Sequence, residues 1–379
     1  MLHAESAIRK SPMGVSVVLC CHDSAGVIAP TVRALAGQQT PKGFPYEVVL
    51  VDNNCTDQTV ALAKTQWNHP WAKLRVVAEK SPGLAHARAR GIEAARYAII
   101  QFVDDDNILS PTWIAKVFDL YRSDPDIGMI GGVNVPLIRG ERPVWFDDFQ
   151  HVYACGPRGD RSGRIRTNLF GAGVSYRRQA LQSAFPPGLP LFLVGRTGSR
   201  LLRGEDTEIA YRCLLSGWAF YYDASLVLQH HLLGGRLKWR YVCEARRGAG
   251  AANIILKIYK NLHEGRLPFT FAQYVGFVWR RWIKPFLSDC RNLRNIRAEG
   301  TETSALFHLL VGMVVGLFVF GKSYDRMRGA LVRCYGGCLE NSYVGHSVYR
   351  VTGAVCRHSG LDPESSQPAK TLDSGSSPE

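Results

Sequence analysis

The sequence holds no Cys-x-x-Cys pair and no cysteine–histidine set at zinc spacing, although it has 10 cysteines. This excludes the common structural zinc modules. Cys20 and Cys21 are adjacent in an apolar run that reads as a buried strand, and Cys334 and Cys338 have no partner pair. Reduced thiols in a cytosolic protein are expected, not a disulfide framework. The segment before Val15 has no apolar core of a secretory signal, so the chain is expected to remain inside the cell. No internal repeat is visible. Acidic residues are few: 32 Asp+Glu face 46 Lys+Arg, a formal charge of +14. Such a balance draws polyanions, whether nucleic acid, an anionic membrane or phosphorylated small molecules. The surplus is local, because residues 231–300 carry 14 Lys/Arg against 4 Asp/Glu. No RNA- or DNA-binding module accompanies those charges, so nucleic acid is not an expected partner.

What the chain does have is enough apolar residue, 46% of 379, for one large α/β domain with an appendage. Apolar runs at 15–20, 47–51, 74–77 and 98–103 read as strands. Between them, 30–38, 56–64 and 85–95 read as helices, the second with Thr56 or Asp57 near its cap. Strands separated by short helices predict right-handed βαβ units and a mainly parallel sheet. Ligands bind such sheets at the carboxyl ends of the strands. Here those ends carry His22-Asp23, Asp52-Asn53 and Asp104-Asp105-Asp106. Residues 140–204 break into Arg-, Gly- and Pro-rich loops around a short segment at 169–176, and 201–216 reads as a loop followed by a helix. A further strand at 221–228 leads to His230-His231.

Three adjacent carboxylates repel one another unless a cation sits among them. Alternate residues of an extended chain share a face, so the first and third of the triplet can aim at one point. That arrangement suits a hard divalent cation that also binds phosphate oxygens. On its own the triplet reads equally as a solvated acidic turn.

Six segments set this edge in a wider pattern: VSVVLCCHDSAGVIAPTVRALAGQ, EVVLVDNNCTDQT, SPGLAHARARGIEAA, FVDDDNILSPTWI, FGAGVSYRR and GEDTEIAYRCLLSGW. In this order, over residues 14–240, they resemble family 2 glycosyltransferases of the nucleotide-diphospho-sugar (GT-A) fold. The resemblance implies a Rossmann-like, mainly parallel sheet flanked by helices. It implies a donor site drawn from His22, Asp23, Asp52, Asn54, Gly83, Arg88, Asp104 and Asp105, with Asp52 on the uracil or ribose. It further implies Mg²⁺ or Mn²⁺ held by Asp104, Asp106 and His230, the resemblance selecting His230 over His231. Asp206 is then the base that takes the acceptor proton as the anomeric centre inverts. Glu205 is the alternative base, and a carboxylate at a helix start also serves as a cap or dipole partner. Arg236 and Lys238 stand where they would neutralise a leaving diphosphate, or form a solvated basic face. Two positions depart from the family's usual pattern: Arg90 replaces a frequent Asn, and Cys-Cys-His-Asp at 20–23 replaces Pro-Thr-Tyr-Asn. Both bear on the identity of base and sugar, not on the fold.

The expected substrates are a nucleotide-diphospho-sugar, UDP-linked by preference, and a glycan or lipid-linked acceptor, in bacterial cell-surface polysaccharide or glycolipid synthesis. A non-catalytic scaffold of a polysaccharide-assembly complex is the competing reading; it has no need of the carboxylates at 104, 106 and 206. Residues 241–340 read as a basic, aromatic helical extension that includes FVWRRWIKPF at 277–286. Within it, 305–321 is apolar and near the lower length limit for a bilayer span, and Gly312 and Gly316 mark a close helix contact. This segment is expected either to bring the chain to an anionic membrane at its cytoplasmic face or to pack as a buried helix. Residues 358–379 read as a disordered tail.

Overall fold

A computed structural model describes residues 11–166, 168–193, 203–289 and 294–336. The expected tail at 358–379 and the end of the expected extension, 337–340, lie outside the described residues. Strands β1 (Val15–Cys21), β2 (Tyr46–Asp52), β3 (Lys73–Ala78) and β4 (Ile99–Asp104) alternate with helices α1 (Ile28–Ala36), α2 (Thr59–Gln66) and α3 (Leu84–Ala94). β1 is buried throughout and β2 along all but its last residue. Unbroken apolar runs of this kind belong to strands covered on both faces. α2 has Gln58 as its N-cap, without a side-chain cap bond, and Asp57 just before it accepts the Thr59 N–H at 2.9 Å, next to the start expected near Thr56 or Asp57. The four strands lie parallel in the order β3-β2-β1-β4. Cys21 pairs with Asp52 and Cys20 with Asp104, which puts the two acidic strand ends side by side.

The second half of the sheet is mixed. It is built from β5 (Asn107–Leu109), β6 (Ile127–Ile138), β7 (Gly163–Ile165), β8 (Ser175–Arg177) and β9 (Ala219–Leu232), in the order β4-β8-β6-β9-β5 with β7 also on β9. β8 runs antiparallel between β4 and β6, while β6 and β9 are parallel. Helices α4 (Trp113–Ser123), α5 (Phe146–Phe149), α6 (Arg178–Ser183) and α7 (Glu205–Leu215) are interspersed. β6 was not among the expected strands, and it contains Gly131-Gly132 and Pro136. The register shifts between Gly131 and Val133, where a Cβ on Gly132 would run into the Leu226 carbonyl. The glycine that weakens the pattern is what lets the strand approach β9. β9 runs past the expected end at 228, and pairing of His230 with Asn107 draws it alongside the aspartate turn.

Beyond the sheet come α8 (Trp239–His263), α9 (Phe271–Val278), a π turn at Trp279–Ile283, α10 (Lys284–Ser288), α11 (Glu302–Phe320) and α12 (Tyr324–Tyr335). A Cβ on Gly316 would lie 2.6 Å from the Ala251 carbonyl oxygen, and one on Gly312 would strike that of Arg247. The glycine pair therefore does mark a close helix contact, made within the chain between α11 and α8. Among the described residues, the helical stretch Glu302–Tyr335 is long and apolar enough to cross a membrane by length and composition.

One buried ion pair ties these helices to the sheet. Arg212 and Glu208, both fully buried on α7, are 2.8 Å apart. Tyr259 of α8 accepts from Arg212 and donates to Glu208, at 2.8 and 2.7 Å. The pair's remaining capacity is filled by backbone: Arg212 donates to the carbonyls of Ala184, Leu189 and Pro190, and Glu208 accepts the N–H groups of Phe192 and Leu193. Removing one member of such a network leaves a buried charge alone, which costs about 3–5 kcal/mol. Arg212→Met should therefore lower the thermal midpoint by roughly 6 °C in a melting experiment. Arg90→Ala, which breaks an exposed pair with Glu93, should leave it nearly unchanged.

Candidate active site

The carboxyl edge of the sheet gathers three strand ends and the first turn of α7. On the β1–β2 side the contacts are between loops. Asp52 Oδ1 accepts the Cys55 N–H at 2.9 Å. Buried Asn53 donates to the carbonyls of Glu79 and Ser81, at 3.0 and 2.7 Å, and its Oδ1 accepts the Gly83 N–H at 2.9 Å. His22 Nδ1 lies 2.8 Å from the Asn53 carbonyl oxygen. Asp23 and Asn54 both take left-handed backbone conformations. Asp23 Oδ1 accepts the Thr56 N–H at 2.6 Å, and hydrogen bonds from Thr56 hold its carboxyl below the ordinary range. Asn54 donates to the Lys80 carbonyl at 3.0 Å. Of the residues the resemblance assigned to the donor, Asp23, Asn54 and Gly83 thus shape the loops around Asp52. Asn53, which was not assigned, ties those loops together.

The aspartate triplet splits. Asp105 accepts a short hydrogen bond from Ser24, and burial pushes its carboxyl up to about 6. Asp104 lies 3.5 Å from Arg88, and burial raises it against that charge. Asp106 is buried, with Oδ2 accepting from Arg236 at 2.9 Å, Asn107 donating to Oδ1 at 2.9 Å, and His230 Nε2 3.6 Å from Oδ1. Burial would raise Asp106, but His230 and Arg236 outweigh it and hold it below its ordinary value. The reverse holds for His230: burial opposes its charge, yet Asp106 and Cys155 lift it to about 10. Cys155 Sγ is 4.0 Å from His230 Nδ1. His231 gives its backbone N–H to the Asp106 carbonyl, at 2.8 Å. Lys238 is exposed at the start of α8.

Arg88 crosses the edge. It lies 3.5 Å from Asp104, 3.6 Å from Glu205 and 5.3 Å above the Phe102 ring. Glu205 is thereby engaged by a guanidinium, and Asp206 is held differently. Its Oδ1 accepts the Thr207 N–H at 2.8 Å, while Asn168 donates to the Thr207 hydroxyl at 3.0 Å. Gly171 sits against Oδ2, where a Cβ would come within 2.6 Å. Asn168, Thr207 and Cys155 were not legible as site residues, because each acts through its neighbour in space.

Among the described residues no group of three His, Cys, Asp or Glu side chains is placed to hold an ion by itself. Mg²⁺-type ions often bind through one or two carboxylates plus substrate phosphates. Asp106 Oδ1 and His230 Nε2, 3.6 Å apart, are close enough for one ion about 2.1 Å from each to bridge. Metal ions take the neutral imidazole, so an ion here would displace the His230 proton and leave a diphosphate to complete its coordination.

A parallel sheet ending in these acidic turns, continued by a mixed half that carries a helix-start carboxylate, defines the GT-A class of glycosyltransferase folds. The model of the family described as "Glycosyltransferase like family 2" matches residues 12–249, and the chain belongs to that family. It is 23% identical over 168 residues to the glucosyl-dolichyl phosphate glucuronosyltransferase of Haloferax volcanii, covering 43% of this chain and 52% of that one. It is 30% identical over 224 residues to glycosyltransferase AglE of the same organism, covering 58% and 66%. The chain thus spans about half to two-thirds of these curated relatives. The crystal structure of S. aureus TarS 1–349 aligns over 83% of this chain and 92% of that one, with a TM-score of 0.42 and 16% identity.

Gly171→Ala should crowd Asp206 without backbone strain, since Gly171 is not among the positive-φ glycines. The base expected of Asp206 would contribute about 10²–10⁴-fold. The substitution should lower kcat for sugar transfer at least tenfold with the melting temperature nearly unchanged. In an Asp206→Asn background it should cost nothing further; additive losses would separate the glycine from the carboxylate.

Proposed function

We propose that the chain is an inverting glycosyltransferase that moves a sugar from a nucleotide-diphosphate donor, UDP-linked by preference, onto a hydroxyl of a glycan or lipid-linked acceptor. Residues 14–240 form its catalytic domain and 241–340 a helical extension that brings it to the cytoplasmic face of the bacterial inner membrane, in cell-surface polysaccharide or glycolipid synthesis. The observation that carries this reading is the Arg88 bridge. It joins the strand end bearing Asp104 to the helix turn bearing Glu205, and the charge of the neighbouring Asp206 also acts on the Arg88 guanidinium.

Asp52 and the loops bracketed by Asn53 receive the nucleoside. Asp106 and His230, with Asp104 nearby, would hold Mg²⁺ or Mn²⁺, which when bound supplies positive charge for the diphosphate oxygens. Arg236 adds a fixed guanidinium at the same place, where charge develops on the leaving group. Asp206 accepts the acceptor proton on the far side of the anomeric carbon, and the centre inverts in one displacement. With Glu205 engaged by Arg88 and Asp206 seated on Gly171, the geometry favours Asp206 as the base.

The test is a thermal-shift series with UDP, GDP, CDP and ADP, with and without Mn²⁺, on wild type and Asp106→Ala. A ligand at about 100 times its Kd should stabilise the protein by roughly 2.7 kcal/mol. Stabilisation by UDP that needs Mn²⁺ and is lost in Asp106→Ala is expected. Stabilisation by no nucleotide would overturn the proposal.

A further inference from the structure

The extension contains a second surface with its own chemistry. Helices α9 and α10, joined by the π turn, form one continuous rod that runs antiparallel to α11. Two contacts fix this alignment. Phe271 at the start of α9 lies where a Cβ on Gly321 would come within 2.9 Å of its ring. The rings of Phe286 in α10 and Phe307 in α11 are 6.3 Å apart. The contacts are 15 residues apart on one helix and 14 on the other, about 22 Å along each. By the same spacing Val275 is about level with Phe318, and Trp279 with Val314. Both helices leave apolar side chains exposed along this length. Val275, Trp279 and Leu287 are exposed on the rod, and Val314, Val315, Phe318 and Val319 on α11, with Phe318 at 82%. Arg280, Arg281 and Lys284 on the rod are exposed among them.

The other face of α11 is committed. Gly312 and Gly316 press on the α8 backbone, and Leu310, Met313 and Phe320 are buried. At its first turns His308 accepts from Arg247 at 2.9 Å and Glu302 pairs with Arg246 at 3.8 Å. A helix held to its own domain along one side cannot be ringed by lipid. We propose that the outer faces of α9–α10 and α11 form a monotopic docking surface for an anionic bilayer, which enters to the depth of these side chains and is not spanned. An apolar face with basic residues and a tryptophan beside it has the composition of an interfacial helix. Charge chooses lipid over a second copy of the chain: three exposed cations on the rod, in a protein of formal charge +14, would repel their own image and attract anionic headgroups. The inference deepens the membrane part of the proposed function and does not depend on its chemistry.

The experiment is co-sedimentation of the full chain with phosphatidylcholine vesicles, with and without phosphatidylglycerol, alongside the UDP thermal shift. Wild type should bind the vesicles containing phosphatidylglycerol, less so in high salt, and be released by alkaline carbonate. Val315→Ser with Phe318→Ser should weaken binding at least tenfold, and Arg280→Gln with Arg281→Gln about 30-fold. Both variants should keep the wild-type melting temperature and response to UDP, which separates failure here from failure of the donor reading. No binding by wild type, equal binding by the variants, or a requirement for detergent to release the chain would overturn the proposal. So would a dimer in lipid-free sedimentation that Phe318→Ser disperses.

Discussion

Arg88 stands between two carboxylates that belong to different parts of the chain, and the arrangement of the site depends on that position. Asp104 ends a strand of the parallel half; Glu205 begins a helix reached only after β6, β7 and β8 of the mixed half. Brought to one edge, acidic residues from both halves would repel, and each would be desolvated besides. A guanidinium 3.5 Å from one and 3.6 Å from the other turns that repulsion into a link. Arginine suits the place because it stays charged when buried and offers donors in several directions. Its face also rests on Phe102, so its own desolvation is partly offset by the ring. Arg236 does the same one strand further on, where it and His230 hold Asp106 ionised in a buried position.

Behind this edge, a second buried pair determines where Asp206 can be. Glu208 and Arg212 are the next polar residues on the inner side of α7, and Tyr259 locks them to α8. A catalytic carboxylate on a helix start is only as well placed as the helix. Here the helix is held by charged hydrogen bonds with no access to water, while its first turn is seated on Gly171 and Thr207 is fixed by Asn168. For the base proposed at Asp206, rigid support of this kind is what precise placement requires.

Most of the parallel half was legible in the sequence, because its strands are short apolar runs separated by helices and punctuated by acidic turns. The segments that carry the family resemblance also fall on the edge where the structure gathers the charged residues. What was not legible has a common physical origin. β6 hides behind Gly131-Gly132, since tight approach to β9 demands the residue that pattern reading takes for a break. The extension of β9 through His230 depends on pairing with Asn107, a partner far away in sequence. Cys155 and Asn168 orient other residues and have no motif of their own. The apolar stretch at 305–321 could be recognised as a helix with a small-residue seam. Whether the seam met lipid, a partner or its own domain required the position of α8.

That position also joins the two surfaces of the molecule. Along its 25 residues α8 presents Arg247 and Ala251 carbonyls to the glycines of α11, and Tyr259 to the ion pair of α7. The contacts are backbone against backbone at one end and a buried charged network at the other, and neither slides easily. On the proposed reading, the membrane-facing pair of helices and the base are therefore attached to one rod and not connected through loops. A headgroup-level surface fixed in this way would set the height of Asp206 above the bilayer. An acceptor hydroxyl carried by a lipid would then meet the base at a constant depth, and the entropy of bringing the two together would largely be met by the fold.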